Sequence, residues 1–374
     1  MPEPSTPEPA SHALSPADAR RIARYAAEAD AWRWLHPVQQ AVLHRRGWLR
    51  MLAPRAVGGD EWALPDVVRL EEAVARVDGS TAWTLTLCAG AGWFAGFLEP
   101  RLAREILATR RVCLAGSGAP TGYADLDGDG YRIDGLWDYA SGAPMATHFT
   151  FNAILRKDGA VLRDGAGKAR IQAFVVPAAL VERESTWRSM GLRATASDAY
   201  RVSNQWVSFD YAFAIDPAQA TAPGPLYRFP FLAFAYVTLA ANLAGMAQHF
   251  VELASDCIAR RRNRFADDGG ALIEAPRVAA LLASARARLG DARTRVYATL
   301  NEAWASATTA NAVSAAQAQA LEAASVAWVE AARAAVDTLF PYCGLAAARE
   351  DAEINRVWRD FHTASQHSLL MPQP

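Results

Sequence analysis

Apolar and polar positions follow three successive rhythms along the 374 residues of the chain. Up to about residue 107, apolar residues recur every three or four positions, the spacing of helices with one buried face. Ser15-Pro16 offers an N-cap with proline at the first helical position, and Ile22, Tyr25 and Ala26 carry the stripe onward. A Pro/Gly break at 52–59 precedes a helix at 65–77 built on Val67, Val68, Leu70, Val74 and Val77. Gly79-Ser80 opens a second apolar helix at 81–98, and 100–108 gives a third. From 111 to about 210 the period drops to two. Tyr131-Arg-Ile-Asp-Gly-Leu-Trp137 alternates, 149–155 and 171–176 are β-rich, 200–209 alternates again, and Asp127-Gly-Asp-Gly130 and Asp158-Gly159 mark hairpin turns. From about 226 the helical period returns in four segments, 226–264, 274–309, 314–340 and 346–370. Stripes of Leu281, Ala285, Leu289 and Val296, then of Val326, Val329, Val336 and Leu339, mark their buried faces.

The pattern predicts an α+β chain: a tail at 1–14, an N-terminal helical domain at 15–110, a middle antiparallel β-barrel or sandwich at 111–212, and a C-terminal four-helix bundle at 213–374. Doubly wound and TIM-barrel folds need alternating β and α units and are excluded.

Composition narrows the function classes. The 52% hydrophobic content is ample for a large core. With 38 basic against 39 acidic residues, the balance gives no electrostatic basis for binding nucleic acid or an anionic membrane. Only Lys157 and Lys168 are lysines, so a phosphate or carboxylate site must be built from arginine, dipoles or hydroxyls. The four cysteines (Cys88, Cys113, Cys257 and Cys343) are widely spaced without a CxxC pair, which points away from zinc and disulfides and towards a reducing cytoplasm. The first twelve residues hold four prolines and no apolar run, so they read as a mobile tail and not a signal peptide. The apolar stretch 229–246 includes Pro230, Tyr236, Thr238 and Asn242 and runs into an Arg-rich segment, which fits a buried helix better than a membrane span.

Four segments carry candidate chemistry. Gly135-Leu-Trp-Asp-Tyr-Ala-Ser-Gly142 ends a strand with small residues that let a flat ring approach the backbone, although a plain strand exit has the same composition. Cys113-Leu-Ala-Gly-Ser-Gly-Ala-Pro120 is a small-residue loop without Rossmann or P-loop spacing. Trp187-Arg-Ser-Met-Gly-Leu-Arg-Ala-Thr-Ala-Ser-Asp198 pairs a ring with an arginine and hydroxyls. In Arg356-Val-Trp-Arg-Asp-Phe-His-Thr-Ala-Ser-Gln-His367, helical spacing puts Asp360, Thr363 and His367 on one face. Neither His362 nor His367 has metal-ligand spacing. The run Arg260-Arg-Arg-Asn-Arg264 reads as a solvated helix end or as a phosphate contact across a subunit boundary. No serine elbow, Cys–His signature or paired-carboxylate motif supports a hydrolase.

In this order the segments resemble the acyl-CoA dehydrogenase fold, and within it the flavin-dependent monooxygenases that take reduced flavin from a separate reductase. The resemblance covers residues 20–370. It rests on Pro54 with Gly58-Gly59, Asp78-Gly-Ser-x-x-Trp83, Gly135-x-Trp-x-x-x-Ser-Gly142, Gly191-Leu-Arg-x-Thr-x-Ser197 and Arg359-Asp-x-x-Thr-x-x-x-His367. True dehydrogenases of the fold carry a catalytic Glu where this chain has Pro341-Tyr-Cys-Gly344. The resemblance implies reduced FMN or FAD and O2, a flavin C4a-hydroperoxide, a small aromatic substrate, a flavin reductase partner and a homotetramer. It assigns Ser141 to flavin N5 and Ser117 to the shared pocket. Trp137, Gly142, Trp187, Arg193, Thr195 and Ser197 fall to the flavin, and Arg262 to a neighbouring subunit's flavin. Trp93 and Thr363 fall to the substrate pocket, and His367 to orienting the substrate or taking its proton. Some phenol hydroxylases of the family have a second pocket His, where this chain has Ala89-Gly-Ala-Gly-Trp-Phe94, which points to a larger or less polar substrate. The alternatives are an acyl-CoA dehydrogenase or related oxidase, an N- or S-oxygenase of the same fold, and a non-catalytic member.

Overall fold

The computed structural model describes residues 12–264, 269–310 and 312–371. Apart from 12–14, the expected tail lies outside the described residues. Among the described residues, six helices come first: α1 (Pro16–Arg24), α2 (Ala26–Trp32), α3 (Pro37–Arg45), α4 (Leu64–Ala75), α5 (Gly79–Trp93) and α6 (Pro100–Leu107). Ser15 caps α1 by accepting from the Asp18 amide, with Pro16 at the first position. Asp78 caps α5 through the Thr81 amide. Thirteen of the fifteen α5 residues are buried, so this helix is the spine on which the other elements are assembled.

The strands are β1 (Leu114–Asp127), β2 (Gly130–Ala140), β3 (His148–Lys157), β4 (Ala160–Val161), β5 (Ile171–Pro177), β6 (Glu182–Glu184), β7 (Asp198–Ser208) and β8 (Ala212–Phe213). They form one sheet in the order β6-β7-β2-β1-β3-β5-β8, with β4 paired to β3. Both predicted turns are present. Asp127 pairs with Gly130 across the first, and Asp158 (φ 52°) and Gly159 (φ 78°) take the left-handed conformation of a tight hairpin in the second. One pairing departs from the antiparallel expectation: β1 runs parallel to β3. The segment 141–147 carries the chain from β2 across to the far side of β1, and a period of two says nothing about direction. One face of this sheet encloses its own core, with Trp137, Phe149, Phe151, Phe174 and Tyr200 at its centre. Trp137 Nε1 donates to the Asn152 carbonyl, and the Tyr200 hydroxyl to that of Thr150.

Four helices follow among the described residues: α7 (Phe231–Ala259), α8 (Pro276–Thr309), α9 (Ala315–Cys343) and α10 (Glu353–Ala364). α9 packs between α7 and α8, while α4 and α10 both lie on α7. The fold is thus helical, then sheet, then helical, with N- and C-terminal helices sharing one continuous core. The predicted fourth segment, 346–370, is helical only over α10; short 3₁₀ turns at 345–348 and 368–370 flank it. The inward positions are also offset from those expected, with Leu282 and Trp328 buried deeper than Leu281 and Val326. Among the described residues, α7 is the helix apolar and long enough to cross a membrane, and 78% of its most apolar window is buried in the protein core.

Candidate functional site

The site begins with an irregularity in β2. Trp137 pairs with Tyr200 and Ala140 with Asp198, so three steps on β2 match two on β7. This bulge places Tyr139 at φ 69°, a conformation an L-residue adopts at a cost of about 1–2 kcal/mol. Its side chain gains little packing in return: Tyr139 is 71% exposed and meets the Trp187 ring edge-on at 6.1 Å. Beyond the bulge the chain turns sharply inward. Ser141 is buried, and Gly142 has φ 77°, where a Cβ would come within 2.7 Å of the Cys88 sulfur. Cys88 Sγ donates to the Ser141 carbonyl, and contact with the Cys113 thiol, followed by burial, holds Cys88 well above the usual thiol pKa.

Ser141 heads a chain of buried hydroxyls. Its Oγ lies 2.8 Å from Ser197 Oγ, which lies 2.7 Å from Thr195 Oγ1. Thr195 Oγ1 in turn donates to the Leu192 carbonyl at 2.8 Å. A carbonyl can only accept, so the last link fixes the direction of the others. Ser197 donates to Thr195, Ser141 donates to Ser197, and the remaining capacity of Ser141 is to accept. The Gly142 amide donates to the Thr195 carbonyl at 2.8 Å, locking the two segments together.

The loop bearing Thr195 and Ser197 is seated on α10. Thr363 Oγ1 accepts from the Gly191 amide at 2.9 Å and Asp360 Oδ1 from the Leu192 amide at 2.6 Å. Arg359 donates to the Met190 carbonyl at 2.7 Å and pairs with Asp30 at 2.8 Å. Gly191 is required for this contact, since a Cβ there would lie 2.0 Å from the Arg359 carbonyl oxygen. Burial, and then the Asp78 carboxylate, push the Asp360 carboxyl up to about 8.

His367 lies beyond the end of α10 and caps the following turn, its Nδ1 accepting from the Leu369 amide at 3.3 Å. The expected single face of Asp360, Thr363 and His367 therefore divides: the first two hold the loop, while His367 meets the edge of Trp83 on α5, ring centroids 5.9 Å apart. Burial lowers the His367 pKa, and an accepting Nδ1 leaves the ring proton on Nε2. α5 thus forms a common wall, touching His367 through Trp83 and approaching Gly142 through Thr84 and Cys88.

The remaining predicted residues lie outside this junction or serve it indirectly. Trp137 is fully buried in the sheet core. Trp93 is fully buried as well, its Nε1 donating to the Leu226 carbonyl and its ring stacked on Phe234 at 5.0 Å. Ser117 is half-buried at the last β1–β3 pair before the register shifts. Trp187 Nε1 donates to the Leu192 carbonyl. Arg193 is engaged by Glu350 at 2.7 Å and Asp30 at 3.7 Å. Arg262 is exposed beyond α7, donating to the Gly269 carbonyl. Sequence reasoning missed Tyr139, because the bulge hides in an alternation that Trp137 completes normally. It also missed Asp30, whose partner Arg359 is 329 residues away.

Comparison with known proteins shows which fold the chain shares. Residues 237–372 match the family model described as acyl-CoA dehydrogenase, C-terminal domain. The chain is 25% identical over 336 residues to a pigment production hydroxylase of Rhodococcus erythropolis, covering 87% of this chain and 84% of that protein. It is 24% identical over 338 residues to the oxygenase subunit HsaA, a flavin-dependent monooxygenase of Mycobacterium tuberculosis, covering 87% and 83%. The crystal structure of HsaA superposes with a TM-score of 0.84 at 21% identity, covering 95% of this chain and 93% of that one. XiaF from Streptomyces, solved with FADH2 and glycerol, gives 0.83 at 20% identity, covering 95% and 89%. The chain has the acyl-CoA dehydrogenase-like fold, and the relatives named are oxidoreductases of the monooxygenase and hydroxylase type.

Proposed function

We propose that this protein is the oxygenase component of a two-component flavin-dependent monooxygenase, receiving reduced FMN or FAD from a separate reductase and hydroxylating a small aromatic substrate with O2. The observation that carries this reading is the direction of the hydroxyl chain. Reduced flavin bears a hydrogen on N5, whereas oxidised flavin offers a lone pair there. With its own hydrogen committed to Ser197, Ser141 is an acceptor and matches the reduced form. The exposed ring of Tyr139 beside Trp187 suits a flat ligand resting on the same corner. When bound, reduced flavin supplies the electrons that let O2 deliver one oxygen atom to the substrate and the other to water.

The chain's own residues then divide the work. Ser141, Ser197 and Thr195 hold the ring edge, and Gly142 and Gly191 keep the backbone close. His367, neutral through burial, orients the substrate by donating from Nε2. Its Nδ1 bond makes donation its resting role, ahead of proton uptake. Arg262 reaches a neighbouring subunit's flavin phosphates in a homotetramer. A dehydrogenase reading lacks its base, since Glu350, the nearest carboxylate after Cys343, is 75% exposed and paired with Arg193. The test is an anaerobic titration with reduced and oxidised FMN and FAD. Reduced flavin should bind at least about tenfold tighter, roughly the worth of one well-placed hydrogen bond. Ser197→Ala frees the Ser141 hydrogen and should shrink that preference several-fold. Equal affinity for both redox states in the wild type would sink the reading.

A further inference from the structure

Two of the three glycines within α5 are closely packed. A Cβ on Gly79 would strike the Met246 sulfur at 2.6 Å, and one on Gly92 would sit 3.1 Å from the Leu49 carbonyl. Gly90 is different: a Cβ there meets nothing within 4 Å. Glycine weakens a helix interior relative to alanine, and no internal contact accounts for it here. Gly90 and Leu87 are also the two α5 residues that are not buried. At 100° per residue, Trp83, Leu87, Gly90 and Phe94 fall on one narrow stripe. One end of the stripe is Trp83, in contact with His367. The other end is closed by Phe94, whose ring lies 6.2 Å from Phe231 at the start of α7.

We propose that this stripe is the long wall of the substrate pocket and that Gly90 sets its length. The substrate is then a flat, apolar molecule of two or three fused rings, with its single polar substituent at His367 and its far ring over Gly90. The inference rests on the oxygenase reading for the identity of the occupant. From Trp83 to Gly90 the helix rises about 10 Å, roughly two turns, whereas a single ring covers about one. The stripe offers no polar side chain between its ends, so recognition along it is by shape and burial.

The test measures binding of phenol, 2-naphthol and a hydroxylated three-ring aromatic to the wild type, Gly90→Ala and Gly90→Leu, alongside product formation with reduced flavin and O2. Wild type should favour the fused rings, and Gly90→Leu should lower the fused-to-single-ring affinity ratio by about tenfold or more. Gly90→Ala should raise Tm through helix propensity while lowering that ratio a few-fold, which keeps the test informative should the leucine variant fold poorly. An unchanged ratio in both variants, or no binding of any ring to the wild type, would overturn the proposal. Ring-size selectivity in binding without any oxygenated product would instead retain the pocket and overturn the oxygenase reading.

Discussion

Trp93 and Tyr139 are large aromatics near the ends of α5 and β2, and their surroundings are opposite. Trp93 has no exposed surface, a satisfied N–H, and rings of Phe97, Tyr227, Phe231 and Phe234 around it. Tyr139 is mostly exposed and held at a left-handed φ on a bulge. The protein's own packing explains the first residue completely. It does not explain the second, whose left-handed backbone and uncovered ring fit the flavin contact proposed above.

The contrast breaks most visibly in stability. Trp93→Ala should cost about 3–5 kcal/mol, the usual price of emptying an aromatic site in a core, and it strands the Leu226 carbonyl as well. Tyr139→Ala should change stability by no more than about 0.5 kcal/mol. Urea unfolding of the two variants measures both. A large loss at Tyr139 would mean that the ring is structural and that the comparison fails.

Buried polar groups sharpen the comparison next. The hydroxyls of Ser141, Ser197 and Thr195 satisfy one another, whereas Asp360 is a buried carboxyl facing Asp78, with Asp30, Arg356 and the Leu192 amide also acting on it. Its pKa, pushed up to about 8, means that the folded protein keeps a proton the unfolded chain releases near pH 4. Stability from this group therefore falls as pH rises from about 4 to 8 and levels off above that. Asp360→Asn should flatten the decline of Tm between pH 5 and 8, since an amide oxygen still accepts from Leu192. Glu71, also buried and raised, contributes a residual slope of the same sign. An identical pH profile in the variant would show that Asp360 does not carry the effect.

What the sequence revealed follows from the range of the interactions involved. The order of helices, strands and helices was legible because period is local, and the hairpins at Gly128 and Gly159 because turn chemistry is local. The parallel β1–β3 pair was not, since strand direction depends on where a crossover lands. At the site, Ser141, Ser197, Thr195 and Thr363 were found as residue types in small polar runs, and the structure joins them into one junction. The burial of Trp137 and Trp93 was not legible for a physical reason: a tryptophan near a glycine reads the same whether its ring faces a ligand or a core. His367 fell off its expected face because α10 ends at Ala364, before the periodicity of the text does.

The finest test of the opening contrast separates strain from contact at a single position. Tyr139→Asn keeps a residue that tolerates the left-handed region while removing the ring. If the tyrosine is kept for a ligand at the expense of backbone ease, the variant should be as stable as wild type or more so, by up to about 1 kcal/mol. Its affinity for reduced flavin should fall by about two- to tenfold, the range of one aromatic contact. Thermal melts and the anaerobic titration read these two quantities independently. Stability and affinity falling together would return Tyr139 to the core side of the comparison, because only a ring that packs against the protein itself would lower both.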